Sequence, residues 1–278
     1  MSAHPSTGLH PSGYETLECT IDGAIATVSL NRPRQANAMN EAMWDELESC
    51  FRALDAAEAV RVVILRGNGK HFCAGIDLDM LTGMSPEGEP ARAAERLRDR
   101  ILELQRNLST IEACRKPVLA EVHGACLGGG LDIISCCDLR YCTDDARFAI
   151  KEIDVGLVAD VGSLQRLPYL IGEGCLRELA LTGRELRGAE AHSIGLANAS
   201  LADQNSLREH VRQIAAQIAS KSPLAVRGTK QVLNYGRNHG PAVALDYVAT
   251  WNSAMLSMTD VREAIAATTA QRAAIFDD

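Results

Sequence analysis

Residues 123–162, HGACLGGGLDIISCCDLRYCTDDARFAIKEIDVGLVADVG, are the stretch from which both the fold and the chemistry of this chain are predicted. A triple glycine, a helix-like run and a short apolar strand follow one another in it. Three acidic residues, Asp132, Glu152 and Asp160, are set into otherwise apolar sequence. A charged group is costly to bury unless it is paired or takes part in chemistry. We therefore expect a functional site in this stretch.

Strand and helix signals alternate on both sides of the triple glycine. Short apolar runs bounded by turn residues indicate strands, and longer runs with a helical period indicate helices. Strands are expected at residues 17–21, 25–30, 60–66, 118–123 and 139–142, and helices at residues 40–55, 91–114 and 128–136. This alternation predicts an α/β core.

The second half of the chain shows helical patterns only. Helices are expected at residues 163–171, 174–182, 188–194, 205–220, 223–235, 240–257 and 259–273. We therefore predict a flexible tail over residues 1–13, an α/β core over residues 14–200 and a helical oligomerisation region over residues 201–278.

Composition and charge exclude several classes of protein. The net charge of −8 argues against nucleic-acid binding, which needs a basic face. No apolar run is long enough for a membrane span, and the N-terminal residues lack a secretory signal pattern, so we expect a cytoplasmic location. The nine cysteines show no Cys-x-x-Cys spacing, which predicts buried free thiols and no metal site.

The triple glycine, Gly128, Gly129 and Gly130, lies between a predicted strand and a predicted helix. Backbone N–H groups at such a helix start suit an oxyanion. The alternative is a tight turn that only packs closely. Residues 73–78, CAGIDL, follow another strand and would supply a second N–H, or would form an ordinary turn. Two such donors would make an oxyanion hole.

Each acidic residue also has a structural alternative. Asp160 precedes a predicted helix, where aspartate is a good N-cap. Glu152 follows Lys151 and would form a surface ion pair with it or with a neighbour. Asp132 lies one turn into a helix, where a carboxylate complements the helix dipole. The residues alone leave these alternatives open.

The combination of KHFCAGIDL at residues 70–78 and HGACLGGGLD at residues 123–132 resembles the enoyl-CoA hydratase/isomerase family, also called the crotonase family. NRPRQANAM at residues 31–39 is similar to that family's first CoA-contacting loop. The resemblance runs from about residue 14 to the last helix. It implies a spiral of β-β-α units followed by helices that build trimers or dimers of trimers.

The resemblance also implies roles for individual residues. Asp132, Glu152 and Asp160 match the positions of catalytic acids, and the backbone N–H groups of Ile76 and Gly129 match the oxyanion hole. The expected CoA contacts are Ala36, Ala74, Gly75, Asp77, Leu78 and, toward a neighbouring subunit, Phe276. Because CoA is anionic, Arg34, Lys70 and Lys230 are candidates to meet its phosphates, and a solvated surface charge is the alternative for each of the three. CoA is part of the substrate, and no separate cofactor is expected.

Within the family, the pattern GGGxD followed by KExDVGLxADVGxLQRLP most resembles the Δ3,5-Δ2,4-dienoyl-CoA isomerases of fatty acid β-oxidation. The reaction needs two carboxyl groups of opposite protonation state, and we expect Asp160 to remove a proton from C2, protonated Glu152 to deliver one to C6, and Asp132 to tune or orient the pair. The reverse assignment of base and acid is left open. An enoyl-CoA hydratase and a Δ3-Δ2-enoyl-CoA isomerase are the alternatives, and a non-catalytic binding protein is a remote one.

Overall fold

A computed structural model describes residues 13–83 and 88–278. The predicted flexible tail over residues 1–13 therefore lies outside the described residues except for its last position. All nine cysteines are described and are free thiols, and eight of them are buried, as predicted, whereas Cys175 is partly exposed.

The strands of the described chain form two sheets. The larger sheet has six strands in the order β1-β2-β3-β4-β6-β9, antiparallel between β1 and β2 and parallel elsewhere. The smaller sheet has three strands in the order β5-β7-β8. The strands are β1 Leu17–Asp22, β2 Ile25–Leu30, β3 Val62–Gly67, β4 Val118–Val122, β5 Ala125–Leu127, β6 Leu139–Thr143, β7 Arg147–Ala149, β8 Leu186–Arg187 and β9 Ala199–Leu201.

Apart from the helix at Leu78–Gly83, which was not predicted, the α-helices of the described residues lie close to their predicted positions. They are α1 Glu41–Ala56, α2 Leu78–Gly83, α3 Pro90–Ala113, α4 Gly129–Ser135, α5 Ser163–Arg166, α6 Glu173–Thr182, α7 Gly188–Ser193, α8 Gln204–Ala219, α9 Pro223–His239, α10 Pro241–Met255 and α11 Met258–Thr269. The predicted helix at residues 163–171 is interrupted: α5 is followed by a 3₁₀ turn, Leu167–Tyr169.

The prediction that the second half is purely helical is wrong at two places. β8 adds an antiparallel strand to the small sheet, and β9 adds a parallel edge strand to the large sheet beside β6. These strands have two and three residues, which is too short for an alternating pattern to be visible in the sequence. Their pairing comes from neighbouring strands distant in sequence.

The chain visits the two sheets in turn, which confirms the predicted spiral of β-β-α units. β4 in the large sheet leads to β5 in the small sheet and then to α4, and β6 leads in the same way to β7. Phe72 and Cys73 bond to the β4–β5 segment, with the Phe72 N–H donating to His123 O at 2.9 Å. Each turn of the spiral therefore brings a strand end of the small sheet toward the start of a helix.

Apolar side chains cover both faces of the large sheet. On β3, Val63 and Leu65 face the main core, whereas Val62 and Ile64 face a second cluster. Helix α8 covers that second cluster with Leu207, Val211 and Ala215. Because α8 packs on the sheet, the first helix after residue 201 contributes to the α/β core, and α9 to α11 follow it.

Candidate active site

One cavity of about 430 Å³ contains all the residues predicted for catalysis. Its lining joins backbone at the start of α4 and before α2 with apolar side chains of α1 and α3. The described residues that line it are Trp44, Ile76, Leu81, Thr82, Leu97, Ile101, Leu104, Gly129, Asp132, Glu152, Leu157, Val158, Asp160 and Val161. The polar groups therefore meet in a cavity whose wall is mainly apolar.

The two predicted oxyanion-hole amides lie close together. A Cβ atom built on Gly129 would lie 3.7 Å from the Ile76 nitrogen, and one built on Gly75 would lie 3.6 Å from the Gly129 nitrogen. Within the described chain, neither the Ile76 N–H nor the Gly129 N–H donates a hydrogen bond to a protein acceptor. Gly129 is the first residue of α4, so its N–H is one that the helix itself leaves free. The arrangement suits an anionic oxygen.

Gly128 and Gly130, on either side of Gly129, are each required for a different structural reason. Gly128 has φ +48°, and a Cβ there would approach Glu152 Oε1 to 3.1 Å. Only glycine adopts this backbone without strain while leaving room for the carboxyl group. A Cβ on Gly130 would lie 2.9 Å from the Cys73 carbonyl oxygen, so this glycine lets α4 approach the other amide-bearing segment.

Asp132 is almost fully buried, with 1% of its surface exposed. Its Oδ1 accepts a hydrogen bond of 2.7 Å from the backbone N–H of Ser163, the first residue of α5. Burial raises the pKa of Asp132 to about 6, against the lowering effect of the Ser163 hydrogen bonds. Asp132 therefore stabilises the start of α5 and does more than complement the dipole of α4, the helix to which it belongs.

Glu152 opens a 3₁₀ turn, Glu152–Val155, and its carboxyl group lies over Gly128. Burial raises the pKa of Glu152 to about 7, and the nearby charge of Asp132 adds to the effect. Its Oε2 is buried and has no hydrogen-bond partner among the described residues. The ion pair with Lys151 is absent, because Lys151 Nζ contacts Asp154 at 2.8 Å instead. The carboxyl group is thus suited to keep a proton near neutral pH.

Asp160 is not the N-cap of a helix. The N-cap of α5 is Gly162, which makes no side-chain cap bond, and the first N–H of the helix is bonded by Asp132. The Asp160 side chain is more exposed than those of Glu152 and Asp132. Burial nevertheless raises the pKa of Asp160 above its usual value. Asp160 lines the cavity together with Asp132 and Glu152.

The loop at residues 31–39 is tied to the segment that carries Ile76. The Ala74 N–H donates to Ala36 O at 3.0 Å, and the Met39 N–H donates to Gly75 O at 2.8 Å. Arg32 forms a 2.8 Å ion pair with Asp77. These contacts hold the segments that carry Ala36, Ala74, Gly75 and Asp77 together, next to Ile76 of the cavity. Arg34 and Leu78 lie on the same two segments and are exposed. Lys70 is exposed on the next loop.

Two other predicted CoA contacts lie elsewhere. Lys230 is buried, and its Nζ contacts Asp138 at 2.7 Å and the carbonyl oxygen of Lys116 at 3.1 Å. Its charge is already matched inside the fold, so we correct its assignment as a phosphate contact. Phe276 lies in a groove lined by α9, α10 and α11, and it does not line the cavity of its own chain. A contact with a neighbouring subunit stays a prediction.

Replacing Lys230 with methionine is expected to destabilise the fold by on the order of 1–3 kcal/mol, because it leaves the mostly buried Asp138 without its cation. The KM for a CoA thioester is expected to stay within about twofold of the wild-type value, since no CoA contact is lost. Thermal unfolding and steady-state kinetics measure the two effects. Lys221→Met is the matched surface control. A large rise in KM without destabilisation would restore Lys230 to the CoA site.

Several functional residues were missed by the sequence interpretation. Trp44 of α1 and the α3 side chains Leu97, Ile101 and Leu104 form the apolar wall of the cavity. Their helical spacing indicated a buried face, but nothing in it showed that the face borders a cavity. Gln105 was missed as well, and its side chain reaches the backbone of Asp160.

No cluster of three or more metal-ligating side chains occurs among residues 13–83 and 88–278. Across the same residues, no helix is both long and apolar enough to cross a membrane. The expectation that the chain needs no cofactor stays a prediction.

The two-sheet spiral, the paired free amides and the CoA-loop pattern define a class of protein. A family model described as enoyl-CoA hydratase/isomerase matches residues 20–278, and the chain belongs to this family. A solved enoyl-CoA hydratase from Bacillus anthracis superposes with a TM-score of 0.87 at 29% identity, covering 95% of this chain and 99% of that chain. Another solved member, a putative enoyl-CoA hydratase from Thermobifida fusca in complex with acetoacetyl-CoA, gives a TM-score of 0.78 at 33% identity over 87% of this chain and 94% of its own.

Curated relatives resolve the family further. A peroxisomal Δ3,5-Δ2,4-dienoyl-CoA isomerase from Arabidopsis thaliana is 45% identical over 91% of this chain and 94% of its own length. The mitochondrial enzyme of the same name from Rattus norvegicus is 46% identical over 91% of this chain and 79% of its own length. A crotonyl-CoA hydratase from Syntrophomonas wolfei is 33% identical over 95% of this chain and 98% of its own length.

Proposed function

We propose that this chain is a Δ3,5-Δ2,4-dienoyl-CoA isomerase acting in the β-oxidation of unsaturated fatty acids. The observation that carries the proposal is the meeting of three carboxyl groups with two free backbone amides in one largely apolar cavity. The higher identity to named isomerases than to a named hydratase supports it.

The reaction needs two proton transfers and one stabilised anion. Removal of a C2 proton from a 3,5-dienoyl thioester leaves a dienolate with charge on the thioester oxygen. Protonation at C6 then gives the 2,4-dienoyl product. The N–H groups of Ile76 and Gly129 would bind the anionic oxygen where its charge develops, and each such donor is typically worth about 2.7–4 kcal/mol.

The two proton transfers require carboxyl groups of opposite protonation state. Glu152, with a pKa of about 7 and one unpartnered buried oxygen, is the acid that delivers a proton to C6. Asp160, with more solvent exposure, is the base at C2. Asp132 has its Oδ1 bonded to the Ser163 N–H and raises the pKa of Glu152 through its charge.

The same contacts disfavour a hydratase. Water addition needs carboxylates that grip a water molecule in the cavity. Here the carboxyl group of Asp132 is buried and bonded to a helix start, and most of the remaining wall is formed by Leu, Ile, Val and Trp side chains. A Δ3-Δ2-enoyl-CoA isomerase needs one acid/base group, whereas this cavity holds a third carboxyl group.

A spectral assay tests the proposal. Wild-type enzyme is given a 3,5-dienoyl-CoA and, separately, a 2-enoyl-CoA. Appearance of the conjugated 2,4-dienoyl chromophore is the expected result. Hydration of the 2-enoyl-CoA without isomerisation of the dienoyl-CoA would overturn the proposal and leave family membership intact.

The pH profile of kcat/KM is expected to be bell-shaped, with its alkaline limb near pH 7. The raised pKa of Glu152, about 7, means that its proton is lost as the pH rises through this value, which removes the acid. The acidic limb reflects protonation of Asp160, whose pKa is raised from its usual value. Rate assays over roughly five pH units, from about pH 4 to about pH 9, measure both limbs, because this range spans the ordinary and the raised pKa values of the carboxyl groups. A profile still rising above pH 8 would contradict the role of Glu152.

We further propose that the enzyme is a homo-oligomer, a trimer or a dimer of trimers, as the family resemblance implies. Helix α10 has no buried residue, and apolar side chains are exposed along α9 to α11: Leu233, Val243, Leu245, Met255, Leu256, Met258 and Ile265. A cluster of exposed apolar side chains on the last three helices favours association with another subunit. Sedimentation analysis decides the oligomeric state.

The expected cytoplasmic location stays a prediction, since the named relatives are peroxisomal and mitochondrial.

A further inference from the structure

One side of helix α3 lies against the segment that carries Asp160. Gln105, Ser109 and Glu112 are four and three residues apart, a spacing that places them on the same side of a helix. All three are polar, and together they line a second cavity of about 590 Å³. We call these three residues the polar ridge of α3. Asp160 lines this outer cavity as well as the apolar one.

The backbone around Asp160 is held by three side chains. Gln105 Nε2 donates to the carbonyl oxygen of Asp160 at 2.6 Å. Arg166 Nη1 donates to the carbonyl oxygen of Val161 at 3.3 Å. The Ser163 N–H is bonded to Asp132, as described above. The segment has no regular secondary structure of its own, so these bonds fix its orientation.

Arg166 is itself held in place by the ridge. Its Nη2 donates to Ser109 Oγ at 3.1 Å, and its Nε contacts Glu112 at 3.3 Å. Glu112 also pairs with Arg237 at 2.6 Å. The guanidinium group occupies the space where a side chain at Gly162 would begin, because a Cβ built there would meet Arg166 Nη1. Arg166 therefore packs directly on the turn that follows Asp160.

We propose that Gln105 and Arg166 are positioning residues that aim the Asp160 carboxylate into the apolar cavity. The proposal rests on the proposed function, in which Asp160 is the base. Because Asp160 borders two cavities, a small rotation of its backbone would be enough to turn its carboxylate from one cavity toward the other. A displacement of about 1 Å in a catalytic group is enough to cost a large factor in rate.

Gln105→Leu tests the proposal, because it removes the donor and keeps a side chain of similar size. We expect kcat for 3,5-dienoyl-CoA to fall about tenfold, the worth of one hydrogen bond, with KM changed less than about twofold. Gln165→Leu is the matched control: Gln165 lines the same outer cavity, and its side chain makes no hydrogen bond within the described residues. This control is expected to retain wild-type kcat.

The isotope effect on C2 separates positioning from damage to the fold. With substrate deuterated at C2, Gln105→Leu is expected to show a larger primary isotope effect than wild type, because proton removal becomes more limiting. A partly unfolded variant would lose kcat with an unchanged isotope effect. An unchanged effect, or equal losses of kcat in Gln105→Leu and Gln165→Leu, would overturn the proposal.

Crystal structures of wild type and Gln105→Leu give a test that does not depend on the reaction. The Asp160 carboxyl group is expected to move toward the outer cavity in the variant. An unmoved carboxyl group would overturn the positioning role even in an active enzyme. Failure of the wild type to isomerise a 3,5-dienoyl-CoA would instead reject the proposed function, and the two failures are therefore distinguishable.

Discussion

Asp160→Asn is expected to lower kcat for 3,5-dienoyl-CoA by about 10²–10⁴-fold, the usual worth of a general base. Asparagine has nearly the same shape as aspartate but cannot accept the C2 proton at neutral pH. The loss is expected in kcat rather than in KM, since the CoA contacts are untouched. The chromophore of the 2,4-dienoyl product provides the measurement.

A partial reaction defines the role of Asp160 further. In D₂O, the variant is expected to lose exchange of the C2 hydrogen along with isomerisation, because both begin with proton removal. Asp154→Asn is the matched control, since Asp154 pairs with Lys151 and does not line the cavity. A loss of kcat below about tenfold would reduce Asp160 to a minor role.

Glu152→Gln is expected to lower kcat by a similar factor, about 10²–10⁴-fold, because an amide cannot deliver the C6 proton. The predicted difference from Asp160→Asn lies in the partial reaction. With Asp160 intact, the C2 hydrogen still exchanges with D₂O while the 2,4-dienoyl product fails to accumulate. Proton NMR of the substrate follows the exchange, and absorbance follows the product.

The alkaline limb of the pH profile provides a second test of the role of Glu152 as the acid. In the glutamine variant the residual rate is expected to lose the fall near pH 7, because the group whose raised pKa causes it is gone. If Glu152→Gln abolished C2 exchange and Asp160→Asn preserved it, the base and acid assignments would be reversed.

The parts of the fold that the sequence predicted are those with strong local signals. Helix α1 begins at its Asn40 cap, whose side chain accepts from the Met43 N–H at 3.1 Å. Strand β3 was recognisable because both of its faces are buried. The strands β8 and β9 were not, because their pairing depends on strands far away in the sequence.

In the candidate site, too, the sequence did not predict the contacts that depend on residues far apart in the chain. The family resemblance named Asp132, Glu152 and Asp160, and the structure brings their carboxyl groups to one cavity. The local pattern also allowed a helix cap for Asp160, whereas Asp132, 31 residues before Ser163, makes the bond to the helix start. The charge of Lys230 was likewise assigned to CoA, because its partner Asp138 lies 92 residues away. Contacts over such separations leave no mark on neighbouring sequence.

Helix α3 lines both cavities with two neighbouring rows of side chains. Leu97, Ile101 and Leu104 line the apolar cavity, which the proposed function assigns to the acyl tail, while Gln105, Ser109 and Glu112 line the outer cavity behind Asp160. Smaller or larger apolar residues on the first row would alter which tail lengths fit without disturbing the second. If the proposed function holds, substitutions of these apolar residues are expected to change chain-length preference while the carboxyl groups keep their geometry.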